Sequence, residues 1–178
     1  ALGVTDPGVC RPFDADRHGL NLGEGAAVLI LARGRPAAFA DGPDLFLAGW
    51  GATSEAHHMT QPDPEGDGSA RTMAAALSCA GLSPADIGYL NLHGTATPQN
   101  DTAEARGVAK VFGTAVAAGS TKGYTGHTLG AAAAIETEVD PAGAAAEVLP
   151  PGAGHALINI EYEAGPGGTT GDIFLVQY

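Results

Sequence analysis

The 178-residue chain is 44% hydrophobic and only 16% charged, which is too apolar for disorder and long enough to bury a core. Twenty acidic residues against eight basic ones leave a formal net charge of −12, which argues against nucleic-acid binding and against an anionic membrane surface. The longest apolar run, Ala26 to Ala32, is far shorter than the roughly 20 residues of a membrane helix.

The chain opens at Ala1 without a methionine and shows no basic segment ahead of an apolar one, so no signal peptide is expected and the chain is expected to begin inside a longer protein. Cys10 and Cys79 form neither a CxxC pair nor a disulfide framework, and the default compartment is a reducing cytoplasm. The first residues are rich in turn formers and lead into Gly25 to Ala32, an unalternating apolar run that predicts a strand covered on both faces. Leu45 to Gly51 is a second strand candidate, followed by a polar loop over 53–68. Met73, Ala76, Leu77 and Ala80 recur at helical spacing and predict a helix near Ser69 to Ala80 that stops at Gly81. Cys79 on that helix is expected to be buried and inert. Ser83-Pro84-Ala85-Asp86 restarts the chain with a capping residue and a first-turn proline.

Ile87 to Leu92 reads as a buried strand ending at His93-Gly94-Thr95. Asp101-Thr102-Ala103-Glu104 resembles a capping box, and the helix behind it places Ala105, Val108, Ala109 and Phe112 on one face before Gly113. Val116 to Ser120 is a short strand, Leu129 to about Thr137 a small-residue helix, and Ala156 to Ile160 and Ile173 to Val176 the last strands, joined by a Gly-rich loop. Strands alternating with helices imply an α/β layered domain.

Two segments put a histidine at a strand-to-loop junction beside glycine: Leu92-His93-Gly94-Thr95-Ala96-Thr97-Pro98 and Gly119 to Gly130, which holds Lys122 and His127. Strand ends of open α/β sheets are where sites form, and glycine lets a ligand come close to the imidazole. Lys122 is near enough in sequence to orient His127 or tune its pKa. His57 and His58 read as loop or lining residues, His18 and His155 as surface residues.

These segments resemble the β-ketoacyl-acyl carrier protein synthases, the condensing enzymes of the thiolase fold. His93 to Pro98 resembles their first histidine motif and Ser120 to Ala132 their lysine and second-histidine motif. Cys10 to Gly34 resembles the stretch before the family's two halves meet, and Ser54 to Gly68 with the following helix also follows the pattern. The resemblance implies a thiolase-like layered α/β/α fold, with residues 1–42 the end of an N-terminal half and 43–178 most of a C-terminal half, atypical after 137. It implies decarboxylative Claisen condensation of an acyl thioester with malonyl-acyl carrier protein, in fatty-acid or polyketide synthesis.

By the resemblance, His93 and His127 polarise the malonyl thioester carbonyl, Lys122 supports the second histidine, and Glu136 is the lysine's carboxylate partner. Thr95 and Thr97 match the threonines that hydrogen-bond the phosphopantetheine arm. From the residues alone, Thr95 and Thr97 equally fit satisfaction of turn backbone groups, and Lys122 with Glu136 a structural ion pair. No cofactor is implied beyond the carrier's phosphopantetheine; the partners implied are acyl carrier protein and either a ketosynthase subunit in a dimer or the chain's own missing half. An acidic carrier needs a basic patch, for which Arg33 with Arg35 and Arg106 with Lys110 are the close pairs.

The chain departs from the family in three places. Neither Cys10 nor Cys79 lies where the family's nucleophile belongs, so this chain alone is expected to be inactive, and a non-catalytic, chain-length-factor-like partner subunit is the alternative. A thiolase-fold enzyme using free coenzyme A is a weaker one, since thiolases arrange His and Cys differently. The helix from Leu129 passes straight into Glu138-Val139-Asp140-Pro141, where the family continues with another strand. Finally, extra residues interrupt the terminal glycine motif, with Pro166 where a gating phenylalanine would fall. Without its other half, such a chain would expose apolar surface, so a complementing chain or aggregation is expected.

Overall fold

The computed structural model describes residues 4–34, 46–58, 61–139, 155–165 and 168–177. Five strands form one sheet: β1 (Phe46–Ser54), β2 (Tyr89–Asn91), β3 (Ala117–Gly119), β4 (His155–Gly165) and β5 (Gly168–Gln177), in the order β1-β5-β4-β2-β3. β2 runs parallel to both β3 and β4, whereas β5 runs antiparallel to β4 and β1. Parallel neighbours need a crossover, and between β2 and β3 that crossover is α2 (Pro98–Phe112). The layered α/β arrangement expected from the alternation of elements is present.

Helix α1 (Asp67–Ala80) ends on Gly81, whose positive φ of 69° closes the last turn. Its Met73, Ala76 and Leu77 form the core with Ile87, Leu90 and Leu92. The helix lies close on β1 because the strand offers glycine there: a Cβ on Gly51 would sit 2.5 Å from the carbonyl oxygen of Thr72. Ahead of β2, Pro84–Asp86 forms one 3-10 turn, with the Asp86 carboxylate accepting from both the backbone N–H and the hydroxyl of Ser83. After β3 come α3 (Lys122–Thr125), a 3-10 turn over Leu129–Ala131 and α4 (Ala132–Val139). Among the described residues no helix is long and apolar enough to cross a membrane.

Four expectations need correction. The apolar run from Gly25 to Ala32 is not a strand, and Val28, Ile30 and Leu31 are exposed by 74% or more. A strand needs ladder partners as well as an apolar sequence, and no described segment pairs with this one. Second, α2 begins at Pro98 with Thr97 as N-cap, so Asp101 and Glu104 lie inside the helix and do not cap it. Proline has no N–H to leave unpaired and its φ is preset, so it takes the first helical position. Third, of the expected face of α2 only Val108 and Phe112 pack against the core, while Ala105 and Ala109 are exposed and the buried positions are Asn100, Asp101, Ala103, Glu104 and Gly107. Fourth, Cys79 is exposed on the outer face of α1.

β4 and β5 extend beyond the expected spans and pair from His155 with Gln177 to Gly165 with Gly168. The proposed boundary near residue 42, Arg35, Pro166 and the side chain of His155 lie outside the described residues.

Candidate functional site

The site is assembled where the chain leaves β2 and β3. The N–H of Leu92 still reaches the carbonyl of Gly119 on the β3 side at 2.6 Å, and His93 follows as the chain departs from the ladder. Gly94 has φ of 45°, and a Cβ there would lie 2.5 Å from Cβ of Ser120, whose hydroxyl donates to the Gly94 carbonyl at 3.1 Å. Only glycine fits so tight a left-handed turn. Ala96, fully buried, is also left-handed, with φ of 61°.

His127 comes from the other junction. Its N–H donates to the Asn21 carbonyl at 2.7 Å and its own carbonyl accepts from the N–H of Gly23 at 3.1 Å, so the segment around Leu22 runs beside it as a short parallel bridge. The two imidazoles meet: their ring centroids are 5.3 Å apart and the planes stand at 85°, edge to face. Both rings are buried.

Burial first, then the nearby Lys122 and His127, hold the His93 pKa well below the usual histidine range. Burial and Lys122 lower His127 to about 4. Both rings are therefore neutral at pH 7. The Nδ1 of His127 accepts the backbone N–H of Leu129 at 3.1 Å, so the neutral ring carries its proton on Nε2. Leu129 adopts a left-handed φ of 54° in making this contact.

Lys122 and Glu136 form an ion pair at 2.5 Å in which both side chains are almost wholly buried. Burial pushes the Glu136 carboxyl up, opposed by the Lys122 ammonium and the Thr121 hydroxyl, which donates to Oε1 at 3.4 Å. Thr95 and Thr97 are also buried, with their hydroxyls 2.8 Å apart. The Thr97 N–H donates to the Thr95 hydroxyl at 3.4 Å, the turn-satisfying contact that the residues alone suggested. All six singled-out positions thus gather around the ends of β2 and β3.

Asp101 and Glu104 bond backbone N–H groups outside their own helix in place of the capping role their spacing predicts. Asp101 accepts the N–H groups of Phe13 at 2.8 Å and Ala96 at 3.1 Å, and Glu104 those of His93 and Gly94 at 2.7 and 2.9 Å. The signal that could have found them is two acids on the face of α2 that must turn inward, since buried acids are nearly always held by specific donors. Asn21 was also missed: its side chain accepts the N–H of Cys10 at 2.7 Å and donates to the carbonyls of Asp6 and Gly8.

The remaining candidates lie apart from this chemistry. The Cys10 sulfur is buried, 3.8 Å from the carbonyl of Thr95, and burial pushes its thiol up. His18, His57 and His58 are exposed. Among the described residues no group of three or more His, Cys, Asp or Glu could hold a metal ion. Arg106 pairs with Glu65 at 3.1 Å and Lys110 with Asp67, so both helical basic residues already have acidic partners.

Residues 46–147 match the family described as beta-ketoacyl synthase, C-terminal domain. The chain is 43% identical over 132 residues to the 3-oxoacyl-[acyl-carrier-protein] synthase 2 of Staphylococcus aureus, a match covering 71% of this chain and 32% of that protein. It is 40% identical over 147 residues to the enzyme of the same name from Vibrio cholerae, covering 79% and 35%. Among solved structures it resembles a ketosynthase in complex with its chain length factor from Xenorhabdus doucetiae, with a TM-score of 0.77, 29% identity, and coverage of 99% of this chain and 48% of that one. A beta-ketoacyl synthase from Burkholderia phymatum gives a TM-score of 0.70 at 30% identity, covering 98% and 47%. The chain spans about a third of the length of the curated relatives and about half that of the solved structures. The thiolase-like α/β fold expected from the motifs is the fold of these ketosynthases.

Proposed function

Because the chain belongs to the beta-ketoacyl synthase family through its C-terminal domain, we propose that it contributes the decarboxylating histidines of a condensing enzyme. In that reaction the malonyl thioester on an acyl carrier protein loses carbon dioxide as its C–C bond breaks. The electron pair forms an enolate, whose carbon attacks an acyl thioester held on a cysteine and releases the thiolate. The enolate oxygen needs N–H donors in a dry site, where each is worth about 3–4 kcal/mol. The observation that carries this reading is the meeting of two buried neutral imidazoles 5.3 Å apart, with Nε2–H of His127 free to point away from its Nδ1 anchor.

In this reading Lys122 and Glu136 fix the electrostatics behind the pair, and Thr95 and Thr97 hydrogen-bond the phosphopantetheine arm of the carrier. The acyl-bearing cysteine is neither Cys10, whose thiol is buried and held protonated, nor Cys79, on the outer face of α1. Condensation therefore needs a second polypeptide portion, and the 178 residues alone are inactive. No resident cofactor is required, and the cytoplasm is the proposed compartment. Residues 1–42 are assigned to one half of the enzyme and 43–178 to the other.

The test is malonyl-carrier decarboxylation by the full-length gene product. His93→Ala and His127→Ala should each lower the rate by about 100-fold or more, and an unchanged rate in both variants overturns the reading. A second reading, a chain-length-factor-like subunit, is favoured by the likeness to solved complexes of ketosynthase with chain length factor. It predicts no decarboxylation by the unaltered protein alone and a stable complex with an active ketosynthase.

A further inference from the structure

We propose that Asn21 is a positioning residue for His127: its side-chain amide clamps the loop from Asp6 to Cys10 while its carbonyl takes the His127 N–H, and together these set where the second imidazole stands. The inference rests on the reading of the histidine pair as the reacting site.

The backbone of His127 is carried by the segment from Asn21 to Gly23. Its N–H donates to the Asn21 carbonyl at 2.7 Å, and its carbonyl accepts the Gly23 N–H at 3.1 Å. That segment lies outside the five strands of the sheet, so its place depends on what it bonds on the far side. There the Leu20 N–H donates to the Val4 carbonyl at 2.8 Å, and the Leu20 carbonyl accepts the Asp6 N–H at 3.0 Å. The Asn21 side chain adds three bonds to the same stretch. Its Nδ2 donates to the carbonyls of Asp6 and Gly8, both at 2.8 Å, and its Oδ1 accepts the Cys10 N–H at 2.7 Å. Both amide N–H groups and the amide oxygen are thus used, a pattern that only a primary amide matches. A carboxylate would set oxygen against two carbonyls, and an aliphatic side chain would bond none of the three groups.

The clamped loop leans in turn on both histidine motifs. The buried Cys10 sulfur donates to the Thr95 carbonyl at 3.8 Å. A Cβ on Gly123, in α3 beside Lys122, would lie 3.4 Å from the Cys10 carbonyl oxygen. Asn21 therefore closes a circuit from His127 through the loop to the Thr95 turn and the Lys122 helix. His93 is anchored separately, its N–H bonded to the Glu104 carboxylate. Loss of the amide should release the loop and shift residue 21, moving His127 and leaving His93 in place. Placement errors of about 1 Å in a reacting group cost about 100-fold in rate.

Asn21→Ala in the full-length gene product tests the idea with three readouts. In brief alkylation followed by peptide mass mapping, Cys10 should be modified at least about tenfold faster than in the unaltered protein, since its burial is what protects it. With selectively labelled histidine, the His127 ring should titrate above 4 and closer to 6.5, as water enters and Lys122 recedes. The His93 ring should stay well below the usual histidine range. The kcat for malonyl-carrier decarboxylation should fall at least about tenfold with KM within about twofold. Asn21→Ser, whose short hydroxyl cannot span three partners, should move each readout the same way to a smaller extent. It decides the matter if Asn21→Ala does not fold. A reactive Cys10 beside a His127 that still titrates near 4 overturns the proposal, because the amide would then tether the loop alone. An equal shift of both rings also overturns it, as the mark of a general loosening. If the unaltered protein does not decarboxylate malonyl-carrier at all, the functional reading fails, while alkylation and titration still decide the role of Asn21.

Discussion

Protonating His127 should cost the fold a measurable part of its stability. The ring titrates at about 4 in the folded protein against an ordinary value of 6.5, so the folded state binds the proton more weakly than the unfolded chain does. Stability from this group is complete above pH 6.5 and is lost progressively as the pH falls through 4. At about 1.4 kcal/mol per tenfold change in proton affinity, the gap corresponds to about 3 kcal/mol as an upper figure. Asp101, Glu136 and Glu55 act in the opposite sense, because burial pushes each of their carboxyls up and favours the folded state as they protonate. The His127 contribution is therefore isolated by difference. His127→Asn keeps a side-chain acceptor for the Leu129 N–H and removes the titrating ring. Urea unfolding at about pH 7 and about pH 4 should show the unaltered protein losing about 2–3 kcal/mol more than the variant on acidification. Equal losses in the two proteins, or a His127 ring that titrates near 6.5, would refute the reasoning.

Two further outcomes follow from buried contacts. Glu136→Gln leaves the Lys122 ammonium buried without its counter-charge, and the cost should be about 3–5 kcal/mol by chemical denaturation. The double variant Lys122→Met with Glu136→Leu should recover most of that loss, since replacing both partners by apolar groups removes the uncompensated charge. Gly94→Ala combines a left-handed φ of 45° with a Cβ 2.5 Å from that of Ser120. It should destabilise by about 1–3 kcal/mol in the same assay, and a neutral result would mean that the turn relaxes more freely than its packing implies.

The histidines could be read from the sequence because each sits beside glycine in a short motif that resembles those of the condensing enzymes, although only His93 directly follows a strand, His127 coming after α3 in an isolated bridge with Leu22. The helix α1 was equally legible, as Met73, Ala76 and Leu77 recur at its period and Gly81 stops it. What stayed hidden depended on partners distant in sequence. Gly25 to Ala32 carries the composition of a buried strand, yet nothing described lies alongside it to complete a ladder. Asp101 and Glu104 look the same in sequence whether they bond the N–H groups of their own helix or those of a neighbouring turn. Proline at position 98 decided between the two by moving the helix start one turn earlier. The earlier start frees Asp101 and Glu104 from the N–H groups of their own first turn, and they turn inward to those of Phe13, Ala96, His93 and Gly94.

The placement of charge in this site bears on what it can do. Lys122, which adds to the lowering of both imidazole pKa values that burial chiefly causes, is itself bound to Glu136 and buried. The acids at the histidine turn bond backbone N–H groups. No carboxylate is spent on the His127 Nδ1, which instead accepts the Leu129 amide. A carboxylate at that nitrogen would favour an imidazolium and hence proton transfer. An amide donor there favours the neutral ring with its proton on the opposite nitrogen, a group suited to hydrogen-bond a developing oxyanion without giving its proton away. Converting the site to acid–base work would thus require a change at the Leu129 turn, where the left-handed backbone is held, and not at the histidines themselves.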